Sequence, residues 1–265
     1  MKALIFDLDG TLVDTVYSHA LSWQRALAEA GIDTDTARLH RRIGMAGDLL
    51  MKESAREAGK KISRTTMEAA DKRHAELFAR LEPNPRPLEG AVLLLQKLRQ
   101  NGIPHGIATS GKRESIEPAI AALKLPRSAV VVDGSSAKQA KPEPDLFIQC
   151  QDRLAAAQRD CFVIGDATWD ILAARRAGIL AVGLMSGGFG EDELYRAGAF
   201  RVYRDPKELL GAISQLGISC RARFPLGILR PEIEEQGSMG RAPLLAHIGA
   251  GHEPAHRGLD ALGSS

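Results

Sequence analysis

The 265-residue chain has little cysteine, few aromatics, almost no charge imbalance and no long hydrophobic run. Its three cysteines, Cys150, Cys161 and Cys220, are odd in number and widely spaced, which excludes a disulfide framework and suits a reducing cytoplasm. Lysines and arginines number 35 against 33 acidic residues, a formal charge of +2. A nucleic-acid-binding surface usually carries a clear basic excess, so that class of partner is not expected. No apolar stretch approaches the ~18 residues needed to cross a membrane. At the N-terminus the apolar run meets Asp7 after four residues, too early for a secretory signal. No repeat of fixed period is present. With 44% hydrophobic and 26% charged residues the composition is ordinary for a globular protein, so the expectation is a soluble, cytoplasmic protein.

Present instead are short apolar runs of β type, alternating with helical patterns. The runs are Ala3 to Phe6, His105 to Ala108, Ala129 to Val132, Cys161 to Ile164 and Ala181 to Leu184. Runs that lack polar alternation suit parallel strands covered on both faces. Helical patterns cover Gly90 to Asn101 and Pro118 to Lys124, and Pro206 fits the first position of a helix reaching Ile213. The expected fold is α/β, a Rossmann-like parallel sheet core.

Residues 16 to 83 break the alternation. They contain no strand-like run, only helical patterns, the clearest at Tyr17 to Ala30 and Arg64 to Leu81. A simple crossover needs only about a dozen residues, so this segment reads as an inserted all-helical domain. The core is then residues 1–15 and 84–218. Residues 219–265 hold seven glycines, four prolines and no lysine, show no helical period, and read as a poorly ordered tail.

The sequence Phe6-Asp7-Leu8-Asp9-Gly10-Thr11 follows the first apolar run. In extended chain Asp7 and Asp9 point to one side while Leu8 packs on the other. Gly10 and Thr11 let the chain turn at the carboxyl end of the strand, where open α/β sheets bind ligands. Two carboxylates crowded there repel unless a cation or a proton relieves them. A solvated acidic turn is the plainer alternative.

Four motifs in order resemble those of the haloacid dehalogenase superfamily, in its phosphotransfer branch. They are Asp7-Leu8-Asp9-Gly10-Thr11, Ile107-Ala108-Thr109-Ser110, Lys141-Pro142-Glu143-Pro144-Asp145 and Gly165-Asp166-Ala167-Thr168-Trp169-Asp170. The resemblance implies that Asp7 attacks phosphorus and that Asp9 protonates the leaving alcohol and later deprotonates water. It implies that Thr109, Ser110, Gly111 and Lys112 hold the phosphate and that Lys141 places a positive charge beside Asp7. Taken alone, Thr109 is equally a β-branched residue packing in its strand. The resemblance also implies a Mg²⁺ held by Asp7, the carbonyl of Asp9, Asp166 and Asp170, an all-oxygen set of the kind this hard cation takes.

Asp9 separates the chain from the superfamily's dehalogenases, which lack an acid there. Lys52 does not match the spacing of the imine-forming lysine in its phosphonate-cleaving members. A helical insertion between the first and second motifs is the subclass I arrangement, shared by phosphoglycolate phosphatases, sugar-phosphate phosphatases and beta-phosphoglucomutases. His19 matches a histidine that assists the acid in the mutases, with a surface histidine as the alternative. The segment Arg41-Arg42-Ile43-Gly44-Met45-Ala46-Gly47 resembles the cap's specificity loop, where Arg42 or Arg41 would meet a substrate anion if not merely solvated. The mutases carry an arginine shortly after the loop glycine for a second phosphate, and Gly47 stands here instead. The expected activity is therefore a Mg²⁺-dependent phosphatase of a small phosphomonoester, a monomer or weak homodimer. The rivals are a phosphosugar mutase and a non-enzymatic binder of cations and phosphate.

Overall fold

Leu4 and Phe6 on one side of the first strand, and Ala3 and Ile5 on the other, are all inaccessible to solvent, as a strand covered on both faces requires. This computed structural model describes residues 1–136 and 139–219, which belong to one compact unit. The elements run β1 (Ala3–Phe6), α1 (Val16–Glu29), α2 (Thr36–His40), α3 (Gly47–Glu57), α4 (Arg64–Leu81), α5 (Ala91–Gln100) and β2 (His105–Ala108). They continue with α6 (Arg113–Ala122), β3 (Val130–Val132), α7 (Asp145–Arg153), β4 (Cys161–Gly165), α8 (Thr168–Arg176) and β5 (Leu180–Leu184). Then come α9 (Glu191–Ala197), β6 (Arg201–Tyr203) and α10 (Pro206–Gly211), followed by a 3-10 turn at Ile213–Leu216.

Among the described residues, six strands form one parallel sheet in the order β3-β2-β1-β4-β5-β6. The first strand is thus central, with Phe6 opposite Ile107 on one side and Ile164 on the other. Two hydrophobic clusters cover the sheet. Leu4, Phe6, Leu8, Ile107 and Ile164 pack with Leu94, Leu98 and Leu209 from α5 and α10. Ala3, Ile5, Val163 and Val132 pack with Phe147, Ile171 and Leu194 from α7, α8 and α9. A central parallel strand in this topology aims its carboxyl end into the crevice where the connections diverge to opposite faces.

Between β1 and α5, helices α1 to α4 contain no strand. They enclose a third cluster that includes Ala20, Trp23, Leu27, Leu39, Leu50, Met51 and Ala70. None of the described helices is long and apolar enough to cross a membrane. The tail read at 219–265 falls, from residue 220 onward, outside the described residues.

Two elements differ from the sequence reading. The edge strand β6 is not foreseen, because three residues, Arg201 to Tyr203, are too short to register as an apolar run; they pair with β5 through Val202 opposite Gly183. Helix α6 begins at Arg113, five residues before the proline read as its start, and Pro118 lies inside it, exposed, at the loss of one backbone hydrogen bond. Leu94 is fully buried between α5 and the sheet, so Leu94→Ala should lower unfolding stability by about 2–5 kcal/mol. Urea denaturation of the two proteins checks this, and an unchanged midpoint would contradict the packing described.

Candidate active site

Asp7 is the first residue beyond β1 and continues the ladder by donating its N–H to the Ile164 carbonyl (2.8 Å). The chain then turns at Gly10, whose φ is +82° and whose N–H donates to the Val13 carbonyl at 2.7 Å. A Cβ at this position would lie 2.4 Å from Asp166 Oδ2, so only glycine serves there. Asp166 extends from the end of β4, the neighbouring strand. Asp170 lies in the first turn of α8, where its Oδ2 accepts the Ala167 N–H at 3.0 Å and caps the helix. Lys141 precedes α7.

These residues meet at the centre of the sheet's carboxyl edge. One carboxylate oxygen from each of Asp7, Asp166 and Asp170 lies within 4.8 Å of the others, and all three residues are buried. The Lys141 ammonium, 1% exposed, pairs with Asp7 Oδ1 and lies 2.9 Å from Asp170 Oδ1. That Asp170 oxygen makes no well-directed hydrogen bond to protein. Asp166 is steadied by the Thr11 hydroxyl, which donates to its Oδ1 at 2.6 Å.

Three carboxylates against one ammonium leave the cluster with surplus negative charge. Burial, with repulsion from Asp170 and Asp9, pushes the Asp7 carboxyl up to about 7 although Lys141 opposes the change. Burial and the charges of Asp170 and Asp7 likewise raise Asp166 well above the usual range. Burial alone would lower Lys141, but Asp170 and Asp7 outweigh it and hold the ammonium in its charged form. Asp9 differs. Burial would raise it, yet His19 and the Thr15 hydroxyl, which donates to Oδ1 at 2.7 Å, outweigh burial and lower it. Two aspartates two residues apart therefore have opposite proton affinities.

The other residues singled out from sequence divide between the crevice and its surroundings. Thr109, 1% exposed, follows β2, and its hydroxyl accepts the Gly111 N–H at 3.0 Å. Ser110 donates its hydroxyl to the Gly44 carbonyl of the helical insertion (3.4 Å), and Ala46 of the insertion donates its N–H to the Lys141 carbonyl at 2.9 Å. Lys112 lies on the exposed rim, paired with Asp71 of α4. His19 Nε2 lies 3.3 Å from Asp9 Oδ1. Arg42 stands apart from the acidic cluster, paired with Glu57 and 3.4 Å from the Ser54 hydroxyl. Its neighbour Arg41 pairs with Glu193 and lies over the Phe189 ring at 4.6 Å.

The profile of the haloacid dehalogenase-like hydrolases matches residues 1–178. The chain belongs to this family. A validoxylamine A 7'-phosphate phosphatase from Streptomyces hygroscopicus subsp. limoneus is 31% identical over 187 residues, 69% of this chain and 85% of that one. A beta-phosphoglucomutase from Bacillus subtilis (strain 168) is 30% identical, over 71% of this chain and 84% of its own length. Among solved structures, a hydrolase from Pseudomonas syringae is 41% identical and superposes with a TM-score of 0.79, covering 81% of this chain and 99% of that one.

Several residues around this hydrolase's crevice are not foreseen as partners in the sequence reading. Thr11 is read there only as a turn former, yet its hydroxyl holds Asp166, 155 positions away. His74 on α4 lies 3.1 Å from His19 Nδ1, and a separation of 55 residues gives no local signal of the contact. Gly187, after β5, is pressed against Asp166: a Cβ there would lie 1.7 Å from Oδ2. Gly187→Ala should therefore displace the Asp166 carboxylate, destabilise the protein by about 1–3 kcal/mol and cost at least about tenfold in turnover. Thermal melts and steady-state kinetics check both effects, and a fully active, equally stable variant would contradict the contact.

Proposed function

We propose that the hydrolase is a Mg²⁺-dependent phosphatase that cleaves a small phosphomonoester through a phosphoryl group carried on Asp7. The observation that supports this reading is the buried trio Asp7, Asp166 and Asp170 closed around Lys141. Their buried oxygens form a hard, all-oxygen set with surplus negative charge, and Asp170 Oδ1 is left without a directed hydrogen bond, so the residues fit a small divalent cation. When bound, such an ion supplies charge neutralisation at the phosphate and draws the ester toward Asp7.

In this reading Asp7 attacks phosphorus as the bond to the ester oxygen breaks, and Asp9 delivers a proton to the departing alcohol. Asp9 then takes a proton from water, which attacks the phosphoryl group and releases phosphate and free Asp7. Lys141 holds the Asp7 carboxylate in place and offsets charge gathering on the phosphoryl oxygens. The Thr109 hydroxyl and the Ser110–Lys112 loop cradle those oxygens. Residues 16–83 act as a cap domain on the core formed by residues 1–15 and 84–218, opening to admit the ester and closing to exclude bulk water. The two described cysteines, Cys150 and Cys161, are free thiols, in keeping with work in the reducing cytoplasm.

The choice of a phosphatase over a mutase rests on Gly47. A Cβ there would lie 3.2 Å from the Trp23 ring and 3.6 Å from Asp71 Oδ1, so the position faces a ring and a carboxylate and offers no grip for a second phosphate. Hydrolysis of p-nitrophenyl phosphate should be lost in EDTA and restored by Mg²⁺. Asp7→Asn should reduce it by several orders of magnitude while the fold is kept. Full activity in EDTA, or a tenth of the rate surviving in Asp7→Asn, would overturn the mechanism.

The same site links pH to metal binding. Folded Asp7 keeps its proton up to about 7 whereas the unfolded chain loses it near 3.8, so its protonation favours the fold at low pH and that contribution fades as pH rises through about 7. A cation replaces the proton only when the carboxylates are ionised. The rise in melting temperature on adding Mg²⁺ should accordingly be larger at pH 8 than at pH 5.5, and small at both in Asp166→Asn. Equal shifts at the two pH values would remove Asp7 and Asp166 from the cation site.

A further inference from the structure

Helices α1 and α4 cross with four rings interleaved. His19 and Trp23 lie one turn apart on α1, and His74 and Phe78 one turn apart on α4. The His19 ring stacks on Phe78 at 3.9 Å and 4°, while the His74 ring stacks on Trp23 at 4.0 Å and 10°. The stacking restrains both imidazoles and brings His19 Nδ1 to 3.1 Å from His74 Nε2. On its other side, His19 Nε2 faces Asp9 Oδ1 at 3.3 Å.

An ionised carboxylate can only accept, so His19 must carry a proton on Nε2 to bond Asp9. A single hydrogen bond to Asp9 leaves the ring free to turn over, which would aim carbon instead of Nε2 at the carboxylate. A second polar partner at Nδ1 removes that freedom, and His74 is the group placed to be it. The arrangement parallels the outer partners that orient histidines in metal and hydrolase sites.

We propose that His74 is a positioning residue for this hydrolase: through His19 Nδ1 it keeps the Nε2–H of His19 on Asp9, and so keeps the Asp9 carboxylate aimed at the departing oxygen. The last step rests on the acid–base reading of Asp9 given above; the hold on His19 does not.

Two substitutions separate the hydrogen bond from the stacking. His74→Phe keeps a flat ring on Trp23 and removes the nitrogen. His74→Gln returns an amide that can donate or accept near the place of Nε2. Nitrogen-15 spectra of the histidine rings should show a protonated His19 Nε2, with a slowly exchanging proton, in the wild type and in His74→Gln. That signature should be lost in His74→Phe. With p-nitrophenyl phosphate, His74→Phe should lower kcat about 10- to 100-fold with KM within about twofold, and His74→Gln should recover most of the loss. A His19 signature unchanged in His74→Phe would overturn the proposal, as would equal loss of kcat in both variants at equal melting temperature. Should the wild type hydrolyse no phosphate ester, the acid–base reading falls, and the spectra alone decide whether His74 positions His19.

Discussion

Everything at the crevice answers to one electrostatic constraint, a single buried ammonium serving three buried carboxylates. Lys141 can satisfy Asp7 and, in part, Asp170, while Asp166 depends on the Thr11 hydroxyl. Such a group of charges is costly to bury unless each is paired, and here, with all three carboxylates ionised, the pairing falls short by two positive charges. The deficit explains why Asp7 and Asp166 hold protons more tightly than aspartates ordinarily do. It also makes the cluster receptive to a cation or to a group that brings one.

The scaffold meets this constraint by convergence. Asp7 and Asp166 extend from the ends of adjacent parallel strands, and Asp170 follows one helical turn after Asp166. Close backbone approaches at Gly10 and Gly187 let the loops after β1 and β5 touch the Asp166 carboxylate directly. The helical insertion adds a second layer. Its loop donates the Ala46 N–H to Lys141, Tyr17 stacks on His40, and His40 Nε2 lies 2.7 Å from the Gly187 carbonyl. The insertion therefore touches the two loops that carry the cluster's lysine and its closest glycine.

Much of the fold was legible because parallel strands buried on both faces must be continuously apolar. Ala3 to Phe6, His105 to Ala108 and Cys161 to Ile164 all appear as strands with nearly the limits read from sequence. The long helix α4 matches its expected span, Arg64 to Leu81, because eighteen residues carry enough period to be read. Strand β6 was not legible: its pairing with β5, and not its own three residues, makes it a strand. Helix α6 starts earlier than expected because backbone geometry at Lys112, extended at ψ 152°, sets the entry, and Pro118 is tolerated on an exposed face. At the site, the pairing of Arg42 with Glu57 on α3 was likewise not legible, because fifteen residues separate them and only the packing of α3 brings them together.

The sequence by itself determined the chemistry on offer: two aspartates one strand pitch apart before a glycine turn, a lysine before a helix, and an acidic pair after a strand. Each is a local pattern, held within a few residues, where extended or helical backbone dictates which side chains share a face. Tertiary structure alone decided who meets whom. It put Thr11 on Asp166, Gly187 against the same carboxylate, Arg42 on Glu57, and His74 behind His19. Those contacts join residues from 15 to 155 positions apart, and they exist only once sheet order and helix crossing bring their elements together. Proton affinity belongs to the same level, since Asp7 and Asp9 share one strand end and differ in the burial, charges and donors that the fold places around them.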